Sequence, residues 1–289
     1  MSLFHTLILG FIAGVTILLG IPIGRLRRPM PALRVFLNAT AVGVLLFLVW
    51  DVLSAAWGPI DDALTAVHQH SGGLAPVIGK GAVFFLGLAV GLLGLVGWDR
   101  VLARRAARPA RIGPGAMSVA ERPGRSTPGW TAGQRLSLLI AIGIGLHNFA
   151  EGLAIGQSAA TGAVGLATVL VIGFALHNAT EGFGIVAPLA ADIGSDGPAA
   201  NRPSWGFLLG MAAIGGGPTF IGTWVGHGFT SEVVSIAFLA LAAGSIIYVV
   251  AQLLGVAARA RRMDLVATGL LLGLVAGFVT DAIVTAAGV

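Results

Sequence analysis

Two short polar runs stand inside apolar stretches: His147-Asn148-Phe149-Ala150-Glu151-Gly152 and His177-Asn178-Ala179-Thr180-Glu181-Gly182. In each, a histidine precedes a glutamate by four residues, so on a helix the imidazole and the carboxylate share one face. An ionisable side chain at the centre of a membrane-length helix costs roughly 2.5–3.5 kcal/mol on insertion scales and commonly marks an ion pathway. A lone intramembrane His or Asn is often only helix glue; the duplicated pair argues for chemistry. If the two runs lie on antiparallel neighbours, His147 falls level with Glu181, and Glu151 with His177. Two nitrogen and two oxygen donors then converge, a set suited to zinc or a similar first-row divalent cation.

Asn148 and Asn178 lie one position further on, about a quarter turn round the helix. Each can share its glutamate with a second, adjacent metal position. Gly143, Ala150, Ala154, Gly173, Thr180 and Gly184 are the small neighbours on these faces and leave room for an ion or waters. No Arg or Lys lies among them to balance Glu151 and Glu181. Without metal, two carboxylates in low dielectric take up protons, which links metal entry to proton release.

The elements that must position these groups are membrane helices. Apolar residues make up 56% of the chain and charged residues 10%, against roughly 25% charge in a soluble domain. Mean hydropathy is +0.92. The absence of cysteine excludes disulfides, thiolate metal sites and sulfur redox chemistry. Net charge is +5, but the arginines fall in clusters between apolar runs, which speaks for a lipid bilayer and against nucleic acid as partner. The clusters are at Arg25, Arg27, Arg28 and Arg34, from Arg100 to Arg135, at Arg202, and at Arg259, Arg261 and Arg262. By the positive-inside rule each marks the cytoplasmic side.

A span needs about 20 apolar residues. The hydropathy pattern predicts eight, over 3–24, 35–57, 76–98, 136–158, 163–189, 204–226, 232–257 and 265–287. The expected fold is an all-α integral membrane protein with eight transmembrane helices in a 3+2+3 order and both termini outside. Residues 1–100 hold helices 1–3, and 101–134, rich in Arg, Pro and Gly, read as a flexible cytoplasmic loop. Residues 135–190 hold the two motif-bearing helices, and 191–289 the last three. The outer triplets would run in opposite orientations, as in inverted-repeat transporters. Trp57, Trp98, Trp130, Trp205 and Trp224 fall near span ends, as an aromatic belt should. Pro22, Pro188 and Pro218 read as kinks.

Asp51 and Asp281 lie at matching depths, about 9–12 Å below the outer surface at 1.5 Å per residue. They read either as an acidic vestibule that attracts cations or as hydrated, snorkelling carboxylates. Asp61, Asp62, His68 and His70 fall in an outer loop over 58–76, solvated or weakly metal-capturing. Gln252 is an isolated polar group that either reaches the site or bonds a neighbouring helix. Gly87/Gly91, Gly222/Gly226 and Gly269/Gly273 are Gly-x-x-x-Gly pairs that also raise a homodimer.

At the two polar runs the chain resembles the ZIP family of divalent metal transporters, whose fourth span typically carries His-Asn-x-Pro-Glu-Gly, with a related motif in the fifth. The resemblance extends over essentially the whole chain: the eight-span order, the long loop after span three, and the run Ala242-Ala243-Gly244-Ser245-Ile246-Ile247-Tyr248-Val249-Val250 in span seven. It implies metal ligands at His147, Asn148, Glu151, His177, Asn178 and Glu181, with Asp51 and Asp281 at the outer entrance. It implies movement of Zn2+, or of iron, manganese, cobalt or cadmium, into the cytoplasm by an elevator-like shift. Ala150 and Thr180 depart from the family's prolines. Gly217-Pro218 replaces the Glu-Pro common in span six, and Gln252 stands where a glutamate is common, as an auxiliary position. These departures favour one principal metal site over a two-metal centre.

The alternatives are a membrane metal sensor or a metalloenzyme using the same ligands. Helical di-iron sites use Glu-x-x-His, here reversed as His-x-x-x-Glu, and no His-Glu-x-x-His motif occurs, so the reading is of a transporter and not an enzyme. Abundant Arg, Ala and Gly with a single lysine, Lys80, suggest a GC-rich prokaryote and hence a bacterial inner membrane.

Overall fold

The computed structural model describes residues 1–25, 31–106, 130–160, 162, 164–192, 203–228 and 231–286. Among them are eight α-helices: α1 (Leu3–Val15), α2 (Pro31–His68), α3 (Leu74–Ala106), α4 (Ala132–Ala160), α5 (Val164–Val186), α6 (Trp205–Gly228), α7 (Glu232–Arg259) and α8 (Met263–Ala286). Seven of them, all but α5, lie in stretches long and apolar enough to cross a membrane. Large apolar side chains such as Phe11, Ile78, Leu86, Leu93, Leu271 and Ile283 are exposed around the bundle, a surface that water would not tolerate and lipid tails would. Trp50, Trp98, Trp130, Trp205 and Trp224 are exposed as well.

Several helix ends depart from the hydropathy reading. The stretch 58–68 is not a loop: α2 runs on through Pro59 to His68. Hydropathy reports where lipid ends, and a helix can continue into water beyond it. Trp57 Nε1 donates to Asp61 Oδ1 one turn on, at 2.8 Å, and Asp61, Asp62 and His68 therefore stand on a helix. The chain turns at His70, whose φ is 57°. The Ser71 and Gly72 amides both return to the Ala66 carbonyl, closing the helix end as a left-handed cap does. Helix α3 likewise continues to Ala106, and the loop expected over 101–134 otherwise lies, for 107–129, outside the described residues. Helix α1 gives way before Pro22 to 3-10 turns over Thr16–Leu19 and Ile21–Arg25. Pro188 falls in another, Ala187–Asp192, whereas Pro218 stays inside α6.

The packing cuts across the 3+2+3 order. Helices α1, α4, α5 and α6 pack closely together, and so do α2, α3, α7 and α8; α4 and α5 lean on α7 and α2 to join the two groups. Glycines make the close approaches. A Cβ at Gly145, Gly152 or Gly156 of α4 would collide with the carbonyls of Ile214, Thr219 or Thr223 of α6, and one at Gly14 with that of Gly216. In the second group, Gly269 and Gly273 of α8 meet the Phe36 and Thr40 carbonyls, while Gly87 and Gly91 of α3 meet those of Ala237 and Leu241. The Gly-x-x-x-Gly pairs are thus spent on helix pairs within one chain, so they give no support to a homodimer.

Candidate metal centre

Helix α4 starts at a reciprocal cap. The Thr131 amide donates to Gln134 Oε1 and the Gln134 amide to Thr131 Oγ1, each at 3.0 Å, which satisfies two otherwise orphaned donors. Four turns on, the polar run enters the centre of the bundle. Helix α4 is linked to α5 through a short turn at Gly162, whose φ of +83° is costly for any residue with a Cβ. So short a connection returns α5 antiparallel against α4, which brings the second run to the first.

At the centre, His147 Nε2 lies 2.9 Å from Glu151 Oε1 and 4.0 Å from Glu181 Oε1. The expected levelling of His147 with Glu181 is therefore present. Asn148 Nδ2 donates to Glu181 Oε2 at 3.1 Å and to the Gly215 carbonyl of α6 at 3.0 Å. Asn178 Nδ2 donates to the Ala13 carbonyl of α1 at 3.0 Å. Four helices thus fix the constellation. His147, Asn148, Glu151, Asn178 and Glu181 are all buried, the most exposed being Glu151 at 5%. His177 sits on α5 between Phe174 and Asn178, but its side chain lies outside the described residues. Among the described residues no three His, Asp or Glu side chains form a ready metal cluster.

Oxygen donors beyond the carboxylates are present. Asn148 Oδ1, Asn178 Oδ1 and Thr219 Oγ1 are buried with no hydrogen-bond partner among the described residues. The Asn178 amide donates to a backbone carbonyl and that of Asn148 to a backbone carbonyl and the Glu181 carboxylate, which leaves the oxygen ends as acceptors. Buried acceptors are ordinarily satisfied, and a hard or borderline cation satisfies them as well as a donor does. Thr219, on α6, is a buried hydroxyl that motif spacing does not single out. Its only sequence signal is a hydroxyl next to Pro218 in a glycine-rich helix.

One cavity of about 250 Å³ reaches this centre. Asp51, Asp281, Thr280, Phe174, His147 and Glu151 are among its lining residues. The two aspartates, on α2 and α8, thus face the same space as the His147–Glu151 pair, which lies on the other group of helices. Gln252 is half-buried on α7 and is not among the residues lining this cavity. Nor are Asp61, Asp62, His68 and His70.

No family model matches the chain. Curated proteins named zinc transporter ZupT do. Those of Salmonella heidelberg and Salmonella arizonae are each 32% identical to it over 241 residues, covering 82% of this chain and 80% of the relative.

Proposed function

This chain belongs to the ZIP family of metal transporters, and we propose that it carries zinc across a membrane, as its relatives are named for doing. The proposed path starts at the cavity between Asp51 and Asp281. Their negative field concentrates divalent cations at its mouth. The ion then reaches His147 and Glu151, exchanging water for imidazole nitrogen and carboxylate oxygen. Glu181, the amide oxygens of Asn148 and Asn178, and His177 complete the set. Histidine, carboxylate and amide donors also admit iron, manganese, cobalt or cadmium, with availability deciding among them. Gln252 is an auxiliary position on the far side of the seam.

Transport is directed toward the arginine-rich face, the cytoplasm by the positive-inside rule, with both termini outside and the protein in a bacterial inner membrane. The group α1, α4, α5 and α6 bears the ligands and moves as a unit against α2, α3, α7 and α8. The observation that carries the reading is the cavity itself, because it joins an acidic mouth to buried metal-type ligands.

The experiment is zinc uptake into proteoliposomes by wild type and by a Glu151→Ala, Glu181→Ala double variant, with competing divalent ions. Uptake by the wild type that falls to background in the variant is expected. Zinc that binds the folded wild type without crossing would overturn transport and favour a sensor.

A further inference from the structure

A second, smaller cavity lies between the two groups of helices. It measures about 20 Å³ and is bounded by Leu37 and Asn38 of α2, and by Ile23, Gly24, Phe183, Val186 and Ala187 of the ligand-bearing group. One water needs about 10–15 Å³, so the space suits one water or one cation. Asn38 is the single lining residue with a polar side chain, and it is 3% exposed. Its Nδ2 donates to the Leu253 carbonyl of α7 at 3.0 Å, which fixes the plane of the amide. Its Oδ1 has no hydrogen-bond partner among the described residues. A buried acceptor left in that condition is costly, and a leucine there would avoid the cost altogether.

The location is specific. Asn38 lies thirteen residues before Asp51 on α2, about 20 Å along the axis at 1.5 Å per residue. Across the seam, Phe183 and Ala187 lie two and six residues beyond Glu181, about 3–9 Å further along α5. The cavity is therefore on the opposite side of the metal centre from the acidic mouth.

We propose that Asn38 Oδ1 is an oxygen ligand for the cation on its way out. The inference rests on the transport reading above. A shift of the ligand-bearing group toward the arginine-rich face carries Glu181 to the level now held by Phe183 through Ala187, opposite Asn38. The amide oxygen then adds one neutral donor from the stationary side to the carboxylate that moved. A neutral donor stabilises the ion without trapping it, and water replaces it on release.

Two variants separate a ligand from a mere helix pin. Asn38→Leu and Asn38→Asp both lose the hydrogen bond to the Leu253 carbonyl, but only the aspartate keeps an oxygen in the cavity. Zinc uptake into proteoliposomes is measured for both, alongside zinc binding to the purified proteins by calorimetry. The expected result is a roughly tenfold slower uptake for Asn38→Leu, which is about 1.4 kcal/mol on the barrier. Its zinc binding stays unchanged, and Asn38→Asp, which keeps an oxygen but adds a charge that slows release, loses clearly less uptake than Asn38→Leu. Equal losses in both variants would reduce Asn38 to a pin, and wild-type rates in both would remove it from the path; either result overturns the proposal. A wild type that takes up no zinc sinks the transport reading, and the Asn38 proposal with it.

Discussion

Inside each group of helices many glycines stand against backbone carbonyls; between the groups, Gly143 and Gly184 stand mainly against side chains. Gly145, Gly152, Gly156, Gly222 and Gly226 lock α4 to α6, with carbonyl oxygens standing where a Cβ would be. Gly20 and Gly182 do the same for the 3-10 turn after α1 and α5, and Gly43, Gly269 and Gly273 for α2 and α8. Across the seam, Gly184 of α5 meets only the Ala41 Cβ and the Leu253 Cδ1, at 3.8 and 3.9 Å. Gly143 of α4 meets chiefly the Val249 side chain. Close backbone approach maximises dispersion contact and fixes register. Side-chain tips have more near-equivalent arrangements than backbone locked on backbone, and it is on this difference that the proposed movement of one group against the other rests.

The contrast breaks first where it is sharpest. Gly222→Ala places a methyl group against the Phe149 carbonyl, and backbone cannot rotate away as a side chain can. The α4–α6 seam must open, and Asn148, held at the Gly215 carbonyl of α6, loses its anchor. The expected cost is about 1–3 kcal/mol, read as a lowered melting temperature of the detergent-solubilised protein, with weaker zinc binding. An unchanged melt would mean that the seam is looser than its glycines indicate.

The same contrast explains what was legible in the sequence. Seven of the eight helices follow from hydropathy, α5 being the exception, and the pairing of His147 with Glu151 follows from helical periodicity, because both are local properties. The levelling of Glu181 with His147 followed from one short turn. The α2 extension past Trp57 was hidden because water-exposed helix carries no hydropathy signal, and Gly58-Pro59 imitates a stop. The regrouping into α1, α4, α5, α6 and α2, α3, α7, α8 was hidden because it depends on which glycine faces which carbonyl. Spacing alone does not say whether a glycine pair is met by its own chain or by another copy. Asn38 and Thr219 belong to no repeated motif, and without one the sequence offers no partner from which to infer a role.

Gly143→Ala sharpens the comparison with a smaller effect. Its Cβ would stand 2.7 Å from Val249 Cγ2 and 3.4 Å from the Ser245 carbonyl. The valine methyl can turn about χ1, so the stability cost is expected near 1 kcal/mol. Because α4 and α7 belong to different groups, the substitution adds bulk to the seam across which the proposed movement would occur. Zinc uptake should fall by a larger factor than the stability loss explains. Uptake that falls only as far as stability does would mean that the α4–α7 contact is no joint.

The smallest effect is expected at Gly184→Ala. The new methyl finds ordinary van der Waals contact with Ala41 and Leu253. Alanine also restricts the unfolded chain and suits a helix better than glycine. Stability should therefore be unchanged, or rise by up to about 1 kcal/mol, the opposite sign to Gly222→Ala for the same added carbon. Opposite signs on the two kinds of seam would separate stiff body from joint by stability alone, before any transport is measured. A loss at Gly184 as large as that at Gly222 would erase the distinction, and with it the structural argument that the two groups of helices move past one another.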